Sequence, residues 1–279
     1  MHILFEPVDA DMPKNPIELL KEIVASRGEA VLVTIFSVGG LLQTGTSIVF
    51  SRGNLFFASI DILHEPVTAD ILSTFSQKKS CFKTYESTAG TSTAFIEFLP
   101  APLVLVIAGA GNDVQPLVEL TAMLGWTVTV IDGRPGHSIR SRFPSAENVL
   151  VRKTGNLLSD LDTGAGTAFL LMTHNYNYDL AFLKELARTE FAFIGMLGPA
   201  QKRDRMLRDL EHSGIKMTDA QLEKIYGPVG LDIGAETATE IAFSIVAELQ
   251  ASFSHRPGSS LRLKADPIHA RLVYDENNE

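Results

Sequence analysis

Gly109, Gly111 and Asp132 are the residues of this 279-residue chain whose types and spacing point most directly to chemistry. The run 103–108, LVLVIA, is continuously apolar, as a strand covered on both faces must be, and it stops at Gly109-Ala110-Gly111-Asn112-Asp113. A turn without Cβ atoms lets a phosphate approach the backbone, and a helix starting just beyond it aims free N–H groups at that phosphate. A second apolar run, 127–131, ends in Asp132. That acid lies 23 residues past Gly109, close to the ~20 expected of a carboxylate that takes ribose hydroxyls. On this reading Asp132 favours an unphosphorylated ribose, and Arg134 works against it, because a guanidinium could pair with a 2′-phosphate. The competing reading makes the glycines a tight turn and Asp132 a solvated loop acid. Val114 stands where a third glycine would allow close helix packing, and Asp113 puts negative charge where a pyrophosphate would lie.

Other candidates follow from the same geometry, because ligands on doubly wound sheets bind beyond the carboxyl ends of the strands. His174 directly follows the apolar run AFLLMT, where an imidazole could carry a proton or bond a ligand. Equally, Thr173, Asn175 and Asn177 could simply shape the turn into a helix capped by Asp179. Gly198 ends the run FIGML ahead of a basic helix, where backbone N–H groups could hold an anion or the glycine could simply make a tight turn with a proline at the helix start. Gly230 and Asp232 lie in the glycine-spaced loop GPVGLDIG, whose three glycines imply a special backbone path without naming a ligand. Lys202, Arg203, Arg205 and Arg208 read as the solvated face of a helix. No Ser-His-Asp arrangement or H-E-x-x-H pair occurs, and no metal ligands are assigned.

These residues need strands and helices to place them. Asn15-Pro16-Ile17-Glu18 is a helix start, predicting a helix over 16–27. Strands are expected at 30–36, 46–50, 55–60, 80–86 and 94–99, with a helix over 67–79 and a hairpin turn at 51–54. Pro100-Ala101-Pro102 is a stiff connector. Beyond it, parallel strands are expected at 103–108, 127–131, 148–151, 168–173 and 191–197, and helices near 115–124, 179–188, 200–212, 218–224 and 237–253. The fold class is therefore α/β: a Rossmann-like doubly wound parallel sheet over 100–253, preceded by a smaller α+β domain over 1–99 and followed by an extended tail, 254–279.

Composition bounds the partners. A net charge of −9 argues against nucleic acid or an anionic membrane, since counterion release needs clustered Lys and Arg. No basic segment followed by an apolar core opens the chain, and no apolar run approaches the ~20 residues of a membrane span, so a cytoplasmic protein is expected. The single cysteine, Cys81, excludes an internal disulfide and reads as buried and inert in a strand.

The segments IAGAGNDVQPL, LGWTVTVIDGRP, RFPSAENV, LMTHNYNYDLAFL, FIGMLGPAQKR and IYGPVGLDIGAETATEIAFSIVAEL resemble the C-terminal domain of the XdhC/CoxI family of xanthine dehydrogenase accessory proteins. Pro267-Ile268-His269 is similar to the end of some members, so the likeness spans roughly 103–270. The resemblance implies a role in maturing molybdenum hydroxylases. Such a protein binds molybdenum cofactor (molybdopterin), protects it during sulfuration and hands it to the apo-enzyme, often as a homo-oligomer; its partners are that apo-enzyme and a sulfurating enzyme. The N-terminal half departs from the family pattern. Where members carry Ser-x-Pro-Arg-like and Gly-Gly-Cys-x-Glu segments, this chain reads GGLLQTG at 39–45 and SIDILHE at 59–65, without the arginine and the cysteine but with Glu65. The alternatives are an NAD(P)-dependent oxidoreductase with His174 as acid/base, and a nucleotide-binding protein without chemistry.

Overall fold

Two kinds of apolar patterning build two units, Met1–Ala101 with Lys264–Glu279, and Pro102–Leu263. The computed structural model describes residues 5–11, 15–26, 28–37, 45–51, 53–57, 65–87, 90–161, 163–164, 166–265 and 268. The expected strand end at 58–60, most of the departures at 39–45 and 59–65, and Pro267 and His269 lie outside them.

In the first unit, alternating apolar residues give an antiparallel sheet of β1 (Ala30–Phe36), β2 (Gly45–Ser51), β3 (Asn54–Phe57), β4 (Cys81–Ser87) and β5 (Gly90–Leu99), in the order β3-β2-β1-β5-β4. Val31, Val33 and Ile35 send one face of β1 against Val67 and Ile71 of α2 (Glu65–Gln77). Asn15 caps α1 (Pro16–Ser26), its Oδ1 accepting from the N–H groups of Ile17 and Glu18 at 3.0 and 3.1 Å. Cys81 is half-buried rather than buried, because β4 is an edge strand and Cys81 opens it.

The second unit is a parallel sheet of β6 (Val104–Ala108), β7 (Thr127–Asp132), β8 (Asn148–Val151), β9 (Thr167–Leu171), β10 (Phe193–Met196) and β11 (Ile225–Tyr226), ordered β11-β10-β9-β6-β7-β8. Continuous apolar runs give such strands because both faces are covered. Leu105 and Ile107 of β6 join a core with α3 (Val114–Met123) and α7 (Ala238–Phe253), while Val106 and Ala108 join another with α4 (Tyr176–Leu186) and α5 (Ala200–His212). The chain runs from β6 toward one edge and from β9 toward the other, so the switch point falls between these two strands.

Two expectations need correction. The helix over 218–224 is only α6 (Asp219–Leu222), and the chain then adds β11, whose two residues pair with Ile194 and Gly195. A two-residue strand has no period to read. The cap of α4 is Asn175, whose Oδ1 accepts from the N–H groups of Asn177 and Tyr178 at 3.1 and 3.2 Å, so Asp179 sits inside the first turn, fully buried. Among the described residues no helix is long and apolar enough to cross a membrane.

Candidate functional site

The loops that leave the carboxyl edge at the switch point carry the candidate chemistry. Gly109 has φ +124°, and a Cβ there would lie 2.8 Å from the Met172 carbonyl oxygen. Glycine is required because the backbones after β6 and β9 nearly touch. The next residues are clamped from two sides. The N–H of Ala110 donates to Asp132 Oδ2 at 2.9 Å. Arg142, from a short 3₁₀ turn after β7, donates from Nη1 to the Ala110 carbonyl at 2.7 Å and from Nη2 to Asn112 Oδ1 at 2.8 Å. Asp113 precedes α3 without a capping hydrogen bond, and its carboxylate lies where a Cβ on Gly111 would point.

Asp132 is not a solvated acid: it is 3% exposed. Its Oδ2 also accepts from Arg134 Nη2 at 2.7 Å, and its Oδ1 accepts from the backbone N and Nε of Arg134, each at 2.9 Å. Burial works to raise the Asp132 pKa, but the Arg134 side chain and the N–H groups of Arg134 and Ala110 outweigh it and hold the carboxyl below its usual range. The carboxylate therefore fastens the glycine turn to the end of β7.

Beside it opens a cavity of 470 Å³ whose walls include Arg134, Lys153, Thr154, Thr173, His174 and Asn175. Asp132, Arg134 and His174 thus meet at one place. The His174 side chain is exposed, and among the described residues no hydrogen bond fixes its ring. Tyr178 closes one side, donating its hydroxyl to the Arg152 carbonyl at 2.8 Å, and burial keeps that phenol well above its ordinary pKa.

Under the His174 loop runs a buried polar chain. Thr173 Oγ1 donates to Asp179 Oδ1 at 2.5 Å, and Lys202 Nζ donates to Asp179 Oδ2 at 2.7 Å and to the Leu197 carbonyl at 3.2 Å. Desolvation raises the Asp179 pKa, and Lys202 and Thr173 offset only part of that rise. The basic cluster is thus not one solvated face. Lys202 and Arg203 turn inward, the latter donating to the Gly227 carbonyl at 2.8 Å, while Arg205 and Arg208 are exposed.

The remaining candidates lie elsewhere on the edge. Gly198, at φ +112°, leaves room for the stem of Lys202. Gly230 donates its N–H to Glu248 Oε2 at 2.7 Å, and the Ser244 hydroxyl donates to the Leu231 carbonyl at 2.6 Å, so this loop is pinned to α7. Asp232 is exposed. Gly198, Gly230, Asp232 and the stretch from Gly109 to Asp113 do not line the cavity. Lys153 and Thr154 do, and they follow the β8 run after Arg152, so the strand-end rule that marked His174 also marks them. Arg142 had no local signal, since it reaches back 30 residues.

Strand order, switch point, glycine turn and strand-end acid together define a Rossmann-like domain. Residues 105–249 match the model of the XdhC Rossmann domain, and the chain belongs to the XdhC family. It is 33% identical over 159 residues to a probable xanthine dehydrogenase subunit of Bacillus subtilis (strain 168), covering 57% of this chain and 46% of that protein. It is 28% identical over 185 residues to the uncharacterized protein YqeB of Escherichia coli (strain K12), covering 66% of this chain and 34% of that one. The chain thus spans less than half the length of either relative. A solved structure described as a xanthine dehydrogenase from Bacillus halodurans shares the fold, with a TM-score of 0.52 and 21% identity over 88% of this chain and 98% of that one.

Proposed function

We propose that this protein is an accessory factor in the maturation of a molybdenum hydroxylase, which holds molybdenum cofactor in the crevice and delivers it to a xanthine dehydrogenase-like apo-enzyme. One observation carries the reading: the cavity at the switch point is walled by Asp132, Arg134, His174 and Asn175, all from within the span that matches the XdhC Rossmann domain. The name of the Bacillus subtilis relative, a probable xanthine dehydrogenase subunit, supports a client of that type. The donor set fits the organic part of such a cofactor, since ammonium, guanidinium, hydroxyl and amide groups address phosphate and heterocycle edges. Among the described residues no three His, Cys, Asp or Glu side chains gather to hold a metal ion. When bound, the cofactor would bring its own metal and redox chemistry. The chain would grip it, screen it from water and release it to the client, with a sulfurating enzyme and a second copy of the chain as further partners in the cytoplasm.

The Rossmann strand order favours a second reading, an NAD(P)-dependent oxidoreductase with His174 as acid/base. Purification under exclusion of oxygen from a host that makes molybdenum cofactor, with native mass spectrometry and fluorescence of the oxidised pterin, separates the two. Bound pterin at close to one per chain is the expected result. Bound NAD(P) together with hydride transfer that is lost in His174→Ala would overturn it.

A further inference from the structure

We propose that Arg134, Lys153 and Thr154 form a binding site for a phosphate monoester, so that the crevice recognises its ligand through a dianionic phosphate rather than a free ribose diol. The inference rests on the reading that the crevice takes a pterin or nucleotide ligand, and it specifies how.

Asp132 has no acceptor capacity to spare for a diol. A carboxylate offers about four lone-pair sites, and here both oxygens already accept two N–H bonds each. A ribose diol needs an acceptor at this point, and among the described residues the only carboxylate in the cavity wall is committed to the turn and to Arg134.

The wall offers donors instead. The Arg134 guanidinium is fixed by its two-point contact with Asp132 through Nε and Nη2, which leaves Nη1 without a hydrogen bond among the described residues. Lys153, two residues beyond β8, is exposed and has no carboxylate partner among the described residues, whereas its neighbour Arg152 is committed to the Leu157 and Ser159 carbonyls. Arg134 and Asp132 cancel, so Lys153 leaves the cavity net positive within a chain of net charge −9. Thr154 adds a hydroxyl. Asn175 adds its amide NH₂, because its Oδ1 is taken by the α4 cap. A wall of donors with one uncompensated cation complements an anion that carries only acceptors.

That anion could be the 2′-phosphate of a dinucleotide or the phosphate that ends a pterin side chain. The test titrates the full chain with NADP⁺ against NAD⁺, and with molybdopterin against the same pterin after phosphatase treatment. The phosphorylated member of at least one pair should bind about tenfold tighter or more, as one charge-assisted contact implies. The pair that shows the preference identifies the source. Lys153→Gln should abolish most of that ratio, and added salt should weaken binding of the phosphorylated ligand alone. If the ligands bind with no preference for phosphate in either pair, the phosphate site is wrong while the pterin or nucleotide reading stands. If none of the four binds, both fail.

Discussion

Lys202→Met should destabilise the Rossmann unit by about 3 kcal/mol near neutral pH, and by much less in mild acid. Removing one partner of a buried ion pair costs roughly 3–5 kcal/mol, because the other charge is left uncompensated. Asp179 is fully buried, but Lys202 keeps 19% of its side chain exposed and Thr173 goes on donating to the carboxylate, so the low end of that range applies. The pH dependence follows from the direction of the Asp179 shift. Burial raises its folded pKa above the unfolded value, so the native state holds this proton more tightly, and the group's contribution to stability falls as pH rises from about 4 through the raised value. Lys202 and Thr173 both pull that value down, and loss of Lys202 lets it climb further. In acid, where the variant's carboxyl is protonated, little is then lost, and the loss grows as pH rises and the acid ionises. Urea unfolding followed by Trp126 fluorescence reads this unit alone, since the chain's single tryptophan packs half-buried against one of its cores. Adding Asp179→Asn to Lys202→Met should recover at least about half the loss, because no charge is then left buried. A loss under about 1 kcal/mol near neutral pH, or one equal in mild acid, would refute the argument.

Gly109→Ala should cost at least about 2 kcal/mol, since it combines a left-handed backbone with an approach to the Met172 carbonyl, whereas Gly111→Ala meets only the Asp113 side chain and should cost under about 1 kcal/mol; equal urea midpoints would contradict this. Thr237→Ala removes the α7 capping box and should lower stability by about 1 kcal/mol in the same assay. Arg142→Ala should speed amide hydrogen exchange at Ala110 and Asn112 and weaken ligand binding about tenfold, by freeing the glycine turn; unchanged exchange there would show that the clamp is idle.

The fold was legible in the sequence wherever an apolar run coincided with a paired strand. Five of the six parallel strands and both faces of the sheet follow from runs such as 103–108 and 127–131. The apolar runs 168–173 and 191–197 outlast the paired parts of β9 and β10 for a physical reason. Phe191 is buried yet precedes β10, and Met172 is buried and still donates to the Ala108 carbonyl although β9 has ended. An apolar run reports burial, and burial outlasts pairing at the edge of a covered sheet. The start of α4 was missed for a related reason. Asn175 and Asp179 are both good capping residues, and only the observed bonds show that the first caps while the second is a buried ion.

The site was legible as a set of strand ends, but the sequence could not show which of its charges are spent on one another. Asp132 ends β7 and Arg134 lies two residues on in the loop, where spacing says nothing about whether they meet. Lys202 is different, because its position carried the signal. Met206 and Leu210 are the buried residues of α5, and Lys202 is four residues before the first of them, on the same stripe. Asp179 stands likewise on the buried stripe of α4 with Phe182, Leu183 and Leu186. A charge on an apolar helical stripe must either reach solvent along its stem or find an opposite charge inside. Two such stripes, one carrying a lysine and the other an aspartate, on helices packed on the same face of the sheet, imply that the two side chains meet. Their union ties the loop after β9 to the loop after β10, because Asp179 holds Thr173 while Lys202 holds the Leu197 carbonyl. The residue that walls the crevice beside His174 is thus positioned by a buried ion pair whose members both interrupt an apolar pattern, and an interruption of that kind can be read from the order of the residues alone.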